Sequence, residues 1–393
     1  MKVVYGKDGL LHNPPIEVTS GESKPYIESP KRLESIKQFM ETHPEFEIVE
    51  PSDYSLGPIL DVHEKDYIKF LATIYQEWIA EGLPPNACIG DTFATHSFIG
   101  KLDPQIAKKN AFQSPQGKMG YFIGDMSVGF VQDTWRATYA SAQVVLSAAH
   151  QLMEMTTHGE GEQAIYALCR PPGHHASHQM SAGYCLVNNA AVAARFLQNY
   201  TLQDMNKVKK PYCFDSVRQD AGFTPLGQSK KILIVDIDFH HGNGTQDIFY
   251  EDPTVFYVSL HGYPNYPFVS GSEEEEGTGA GLGYNINVPL DPNTTTDKIY
   301  LYHLDHVLNG TKVVQFKADI VIVSMGLDTW HEDPIAGMKG LQDMDAYKKM
   351  GQCIKTSQGT RQRPVLFVQE GGYTIDKLGD LAGRVLQGYS EPC

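Results

Sequence analysis

Short, unbroken apolar runs punctuate the chain at 1–5 (MKVVY), 164–168 (AIYAL), 232–235 (ILIV), 254–260 (TVFYVSL), 318–325 (ADIVIVSM) and 364–369 (PVLFVQ). Runs that are apolar on both alternating faces and rich in β-branched residues predict strands buried on both sides of a parallel sheet. Between them, apolar positions recur at helical spacing over 62–80, 132–155 and 189–198, with further helices expected at 300–313 and 345–356. A helix is also expected at 30–40, with Ser29 as N-cap and Pro30 in the first turn. Strands alternating with helices predict an α/β fold, a single large parallel β-sheet flanked by helices on both faces. No repeat and no clean linker interrupts the chain, so one domain is expected over 1–393. Residues 82–118, rich in Pro, Gly and Asn, and the polar stretch 199–229 read as insertion loops.

Composition narrows the class. The 393 residues are 41% hydrophobic and 20% charged, as in a soluble globular protein. Acidic residues number 47 against 32 basic ones, a formal charge of -15. That balance disfavours nucleic acid and anionic membranes and favours cationic small molecules. The N-terminus has no long apolar segment and no window reaches transmembrane length. Six scattered cysteines without a CxxC pair, among them Cys169, Cys185 and Cys353 in apolar contexts, read as reduced thiols of a cytoplasmic protein.

The chemistry concentrates where the apolar runs stop. Residues 231–244, KILIVDIDFHHGNG, pass from a buried strand into Asp236, Asp238, His240 and His241, then Gly242 and Gly244. If the extended form persists, Asp236, Asp238 and His240 share one face. The two glycines are expected to let the backbone turn tightly beneath them. Three other strand ends carry reactive groups: Pro-Pro-Gly-His174-His175, Gly326-Leu327-Asp328 and Glu370-Gly371-Gly372-Tyr373. Carboxyl ends of parallel strands share one edge, where open α/β sheets place their ligands. Asp238, His240 and Asp328 would give three protein ligands with positions left open, the layout of a catalytic metal site. Two carboxylates weaken the Lewis acidity of such an ion, so it needs help from other groups. His174 and His175 can act as general base and acid. Tyr373 can donate to a developing oxyanion, and the glycines before it would let its loop swing. Asp236 and Asn243 are suited to fixing the tautomer and orientation of the histidines.

Taken together, PPGHHA, GYCLVNNAA, VDIDFHHGNGTQ, VSLHG, the GLDT…DPI stretch and EGGY resemble the arginase/deacetylase fold in its metal-dependent deacetylase branch, and within it the acetylpolyamine amidohydrolases. The resemblance runs from Met1 to about Tyr389 and is weakest in 82–118 and 199–229. It implies Zn²⁺ on Asp238, His240 and Asp328, with His174 paired to Asp236 and His175 to Asn243. It implies that Tyr373 polarises the acetyl carbonyl and that Tyr184 and Phe268 line the tunnel. Structural K⁺ is implied at two places. One uses Asp236, Asp238 and His240 with Ser259 and Leu260, the other Phe249, Asp252, Val255 and Tyr284. In that branch the long early loop helps form a homodimer and an acidic residue stands near the substrate, here Glu17. The acidic gatekeeper that a vertebrate relative carries after the DP pair is Ile335 here, which leaves Glu17 and the Glu273–Glu276 loop as sources of acidic selectivity.

The expected activity is zinc-dependent removal of acetyl groups from acetylated polyamines or similar small cationic amines, with no nucleic-acid or membrane partner. The alternatives are a lysine deacetylase acting on proteins or peptides, a binuclear manganese hydrolase of the arginase type, and an inert binding module. The intact ligands, His pair and Tyr373 argue against the last.

Overall fold

The computed structural model describes residues 1–95, 99–159, 163–209 and 230–391. Its centre is an eight-stranded, all-parallel sheet in the order β4-β1-β5-β10-β9-β6-β7-β8. The strands are β1 Lys2–Tyr5, β4 Glu47–Val49, β5 Ala164–Leu168, β6 Ile232–Asp236, β7 Val255–Gly262, β8 Asn285–Leu290, β9 Ile320–Met325 and β10 Val365–Gln369. A separate antiparallel hairpin pairs β2, Ile16–Thr19, with β3, Glu22–Pro25.

The central strands are buried at every position because each face has its own helical cover. Ile232 and Ile234 pack into one apolar cluster with helices Lys65–Ala80, Thr134–His158 and Asn189–Asn199. Leu233 and Val235 point the other way, toward helices Asp297–Leu308, Met344–Thr356 and Ile375–Ser390. Burial of each such side chain contributes about 1.5–3 kcal/mol, so a charge at Ile234 would break the sheet at its middle.

Several expectations change. The first helix is Lys31–Thr42, with Pro30 at the cap and no side-chain cap from Ser29, whose carbonyl instead accepts the Arg32 N–H. The segment 62–80 becomes helical only at Lys65. Residues 82–118 are not a structureless loop: helices Pro104–Ala111 and Pro115–Phe122 arise there, each capped by a side chain, Asp103 and Ser114. Within 199–229, helix Leu202–Val208 opens with a Thr201/Asp204 capping box, and 210–229 lie outside the described residues. The expected helix at 300–313 divides at Asn309-Gly310 into Asp297–Leu308 and Thr311–Phe316. β2, β3, β4 and β8 and the final helix, Ile375–Ser390, were not anticipated. Cys88, Cys169, Cys185 and Cys353 are free thiols, and Cys213 and Cys393 lie outside the described residues. Among the described residues no helix is long and apolar enough to cross a membrane.

Candidate active site

The four reactive loops leave β5, β10, β9 and β6, which are consecutive neighbours at the middle of the sheet. Their carboxyl ends therefore open side by side. β6 stops at Asp236, so the extended form does not continue to His240. The chain bends there, and each carboxylate accepts the N–H two residues on: Asp238 N donates to Asp236 Oδ1 (3.2 Å) and His240 N to Asp238 Oδ1 (2.9 Å). Asp238, His240 and Asp328 nevertheless converge, all buried, with one ligand atom of each within 4.8 Å of the others. His240 Nδ1 lies 2.9 Å from Asp328 Oδ2 and 3.3 Å from Asp238 Oδ1.

Backbone N–H groups hold the other oxygens, Phe239 N on Asp328 Oδ1 (2.8 Å) and Gly371 N on Asp238 Oδ2 (2.8 Å). A Cβ on Gly371 would stand 2.5 Å from Asp328 Oδ2 and 2.6 Å from Asp238 Oδ2, so only glycine lets the β10 loop close over the carboxylates. Two carboxylates and an imidazole, buried and convergent, fit a divalent transition ion. Gly242 has an ordinary negative φ, so it does not serve a special turn; its hydrogen faces Asp236 Oδ2 and Tyr257 Oη, where a Cβ would come within 2.3 Å of both.

The histidines stand on this group. His174 Nδ1 is 3.1 Å from Asp236 Oδ2, which also accepts the Tyr257 hydroxyl at 2.9 Å, and His174 Nε2 is 3.7 Å from Asp238 Oδ1. Burial would lower the His174 imidazole, but the carboxylates of Asp238 and Asp236 outweigh it and hold it up at about 10. His175 Nδ1 is 2.7 Å from Asn243 Oδ1. Burial drives His175 well below the ordinary histidine value, and charge on His174 drives it further. Their surroundings thus push the two imidazoles in opposite directions.

Tyr373 is buried beside Tyr184, ring centroids 5.8 Å apart, with the Arg32 guanidinium 4.7 Å from its own centroid. Burial holds its phenol well above the ordinary value despite Arg32, so it remains a donor at neutral pH. The two preceding glycines do not give a swinging loop. Leu327 N donates to the Gly371 carbonyl and Arg32 holds the carbonyls of Glu370 and Gly372.

Of the expected substrate residues, Tyr184 takes a left-handed φ of +66 and packs against Tyr26 and Tyr373. Glu17, on β2, is only 2% exposed; Tyr184 and the Ile27 backbone hydrogen-bond it, burial raises its carboxyl, and its Oε2 has no partner among the described residues. Phe268 is 74% exposed, and the ring that reaches the histidines is Tyr266, edge-on to His175 at 5.0 Å with its hydroxyl on Asp125. In the 273–276 loop Glu273, Glu274 and Glu276 are exposed, as in a solvated acidic tip, and one side chain departs from that. Glu275 turns inward to accept the N–H groups of Gly271 and Ser272, and Glu276 pairs with Lys312.

In the first expected K⁺ set, Asp236 and Ser259 face each other in register across β6 and β7, with Leu260 next along β7. In the second, Asp252 N donates to the Phe249 carbonyl, Val255 N to that of Asp252 and Tyr257 N to that of Tyr284, so these oxygens each carry one bond and keep a second lone pair.

Sequence reasoning assigned no role to Glu370, which accepts Gly173 N (2.7 Å) and His174 N (3.2 Å) and is raised to about 7 by burial. It also passed over Arg32, whose guanidinium shares buried Glu28 with Arg170. The only signal was position: Glu370 opens EGGY, and Glu28 precedes Arg32 by one helical turn.

Comparison with known proteins adds the lineage. The histone deacetylase domain family matches residues 26–209 and 224–389. Acetylpolyamine amidohydrolase 1 of Pseudomonas aeruginosa is 33% identical over 392 residues, spanning 99% of both chains. The acetylpolyamine amidohydrolase of Mycoplana ramosa is 34% identical over 391 residues, again 99% of each. Among solved structures, acetylpolyamine aminohydrolase from Burkholderia pseudomallei superposes with a TM-score of 0.79 at 29% identity, covering 99% of this chain and 98% of that one. A parallel sheet carrying this site, matched by the family in both halves and by relatives from end to end, makes the chain a deacetylase of the histone deacetylase domain family.

Proposed function

We propose that the chain hydrolyses the acetyl amide of small acetylated amines of the polyamine class. The observation that carries the chemistry is the convergence of Asp238, His240 and Asp328 beside His174, bonded to Asp236, and His175, bonded to Asn243, with Tyr373 buried against Tyr184. The substrate class is supported by end-to-end likeness to relatives named for acetylpolyamines and by Glu17, a buried carboxylate bonded to the tunnel tyrosine Tyr184. The same reading includes Zn²⁺ on Asp238, His240 and Asp328, K⁺ at the two sets described above, a homodimer through 82–118, a single domain, a cytoplasmic setting and no nucleic-acid partner.

When bound, a divalent ion at the three ligands supplies Lewis acidity to the scissile carbonyl and acidifies the attacking water. The chain's own residues do the rest. His175, neutral and oriented by Asn243, takes the proton of the water at Nε2. His174, kept protonated by Asp236 and Asp238, delivers a proton to the departing amine. Tyr373 donates its phenolic hydrogen to the oxygen on which charge develops. Tyr184, packed against Tyr26 and Tyr373, forms the apolar wall that excludes competing water.

This division of labour predicts that His175→Ala lowers kcat at least as far as His174→Ala, each by about 10²- to 10⁴-fold as for loss of an acid–base group. Steady-state kinetics on the two purified variants decide it, and a nearly silent His175→Ala overturns the assignment.

The substrate reading is tested by a panel of acetylputrescine, acetylcadaverine, acetylspermidine and an acetyl-lysine peptide. Higher kcat/KM is expected for the small amines; a peptide turned over better than all three promotes the lysine-deacetylase alternative. Glu17→Gln keeps the shape but removes the charge, so it should raise KM for a cationic substrate by about tenfold, matching loss of one charge-assisted hydrogen bond of about 1.5 kcal/mol. KM for a neutral acetamide should stay unchanged, and an equal rise for both would leave Glu17 with a packing role only.

A further inference from the structure

Gly372 has a φ of +113, which a residue with a side chain rarely adopts, so its own backbone leaves the following peptide unit more orientations than another residue would. That unit, made of the Gly372 carbonyl and the Tyr373 N–H, sets the direction in which the phenol leaves the backbone. A peptide is planar, so bonds at both of its polar ends fix its orientation. Both ends are held. Arg32 Nε donates to the Gly372 carbonyl at 2.5 Å, and Tyr373 N donates to Asp333 Oδ2 at 2.8 Å.

Asp333 is well placed to hold firm. It is 7% exposed, its own N–H donates to the Trp330 carbonyl (2.9 Å), and its Oδ1 accepts the Ile335 N–H (3.2 Å). Both carboxylate oxygens are thus committed to backbone donors. The side chain of Ile335 also packs against the cluster of Tyr26, Tyr184 and Tyr373. The segment that begins at Asp328 therefore reaches the Tyr373 backbone through the Asp333 carboxylate and the tyrosine cluster that includes Tyr373 through Ile335.

We infer that Asp333 is a positioning residue for Tyr373: with Arg32 it clamps the Gly372–Tyr373 peptide plane and thereby aims the phenolic hydroxyl at the reacting carbonyl. The inference rests on the role of Tyr373 in the proposed function. An isosteric asparagine has one acceptor oxygen for two N–H donors, so one of them meets an NH₂ group and the plane turns.

The test is a double-mutant cycle of Asp333→Asn with Tyr373→Phe on acetylputrescine, with metal content measured throughout. Alone, Asp333→Asn should lower kcat by about 10- to 100-fold, as misplacing a catalytic group does. KM should move by less than about threefold, the pattern of an interaction used in the transition state, and metal content should match the wild type. In the Tyr373→Phe background, where no hydroxyl remains to be aimed, Asp333→Asn should cost less than about twofold. If Asp333→Asn does not fold, the ester made by replacing residue 373 with the α-hydroxy acid of tyrosine removes the same N–H and should give the same kcat loss. Wild-type kcat in Asp333→Asn or in the ester, equal losses in both backgrounds, or lost metal would each overturn the inference. A silent Tyr373→Phe is a distinct result, because it removes the proposed role of Tyr373 itself.

Discussion

Asp238→Asn should leave the protein folded but cost on the order of 10³-fold or more in kcat, with bound divalent metal falling below one per chain, because a catalytic ion supplies several kcal/mol of transition-state stabilisation. Chelation of the wild type should do the same, and readdition of Zn²⁺ should restore it. Asp238 is the hub of the site: it is fully buried, accepts the N–H groups of His240 and Gly371, and lies near both His240 Nδ1 and His174 Nε2. Alanine there would leave two buried N–H groups without acceptors, at about 1–3 kcal/mol each, and would mix folding with function. Asparagine keeps one acceptor and the packing while removing the charge that an ion requires. Metal analysis together with kcat settles the matter, since active protein without metal would refute the ligand set.

How much of this could be read from the chain follows from how local each signal is. β5, β6, β9 and β10 were legible because strands buried on both faces are apolar at every position, and their reactive residues come immediately after the apolar run. β8, NINVPL, was not, because only some of its positions are buried and its asparagines face the Gln246–Glu275 network. The β2–β3 hairpin that carries Glu17 is mostly exposed and short, so no periodicity marks it.

That Asp236, Asp238, His240 and Asn243 would gather near Asp328 was legible because the first four sit within one stretch and Asp328 ends a neighbouring strand, whereas the pairing of His174 with Asp236 and of His175 with Asn243 was implied only by the family resemblance. What ties the site together was not. Arg32 lies on a helix whose pattern gives it a solvated place, and its burial is accounted for by the buried Glu28, the carbonyls of Glu370 and Gly372 and the Tyr373 ring. Tyr266 and Asp125 meet across 141 positions of sequence, and Asp333 meets Tyr373 across 40. Such pairings depend on which loops the sheet order brings together, and no single segment encodes them.

Tyr373→Phe should lower kcat by about 10²- to 10³-fold, the usual cost of removing one oxyanion donor. The upper end is expected because two of the three proposed metal ligands are carboxylates, which would leave a bound ion a weaker Lewis acid and more of the charge to the phenol. The substitution removes a single oxygen. The ring keeps its contacts with Arg32 and Tyr184, and every tie on the 370–373 backbone is made by atoms that phenylalanine retains. KM, metal content and thermal stability should therefore stay close to wild type while kcat falls, the signature of an interaction made in the transition state alone. Because burial holds the phenol well above its ordinary value, the hydroxyl remains protonated at neutral pH and through mildly alkaline conditions, so the rate difference between the two proteins should not narrow as pH rises from 7 to about 9. Rate measurements on metal-replete enzyme across that range test both points. A variant that keeps most of its kcat would reduce Tyr373 to a wall residue packed between Arg32 and Tyr184.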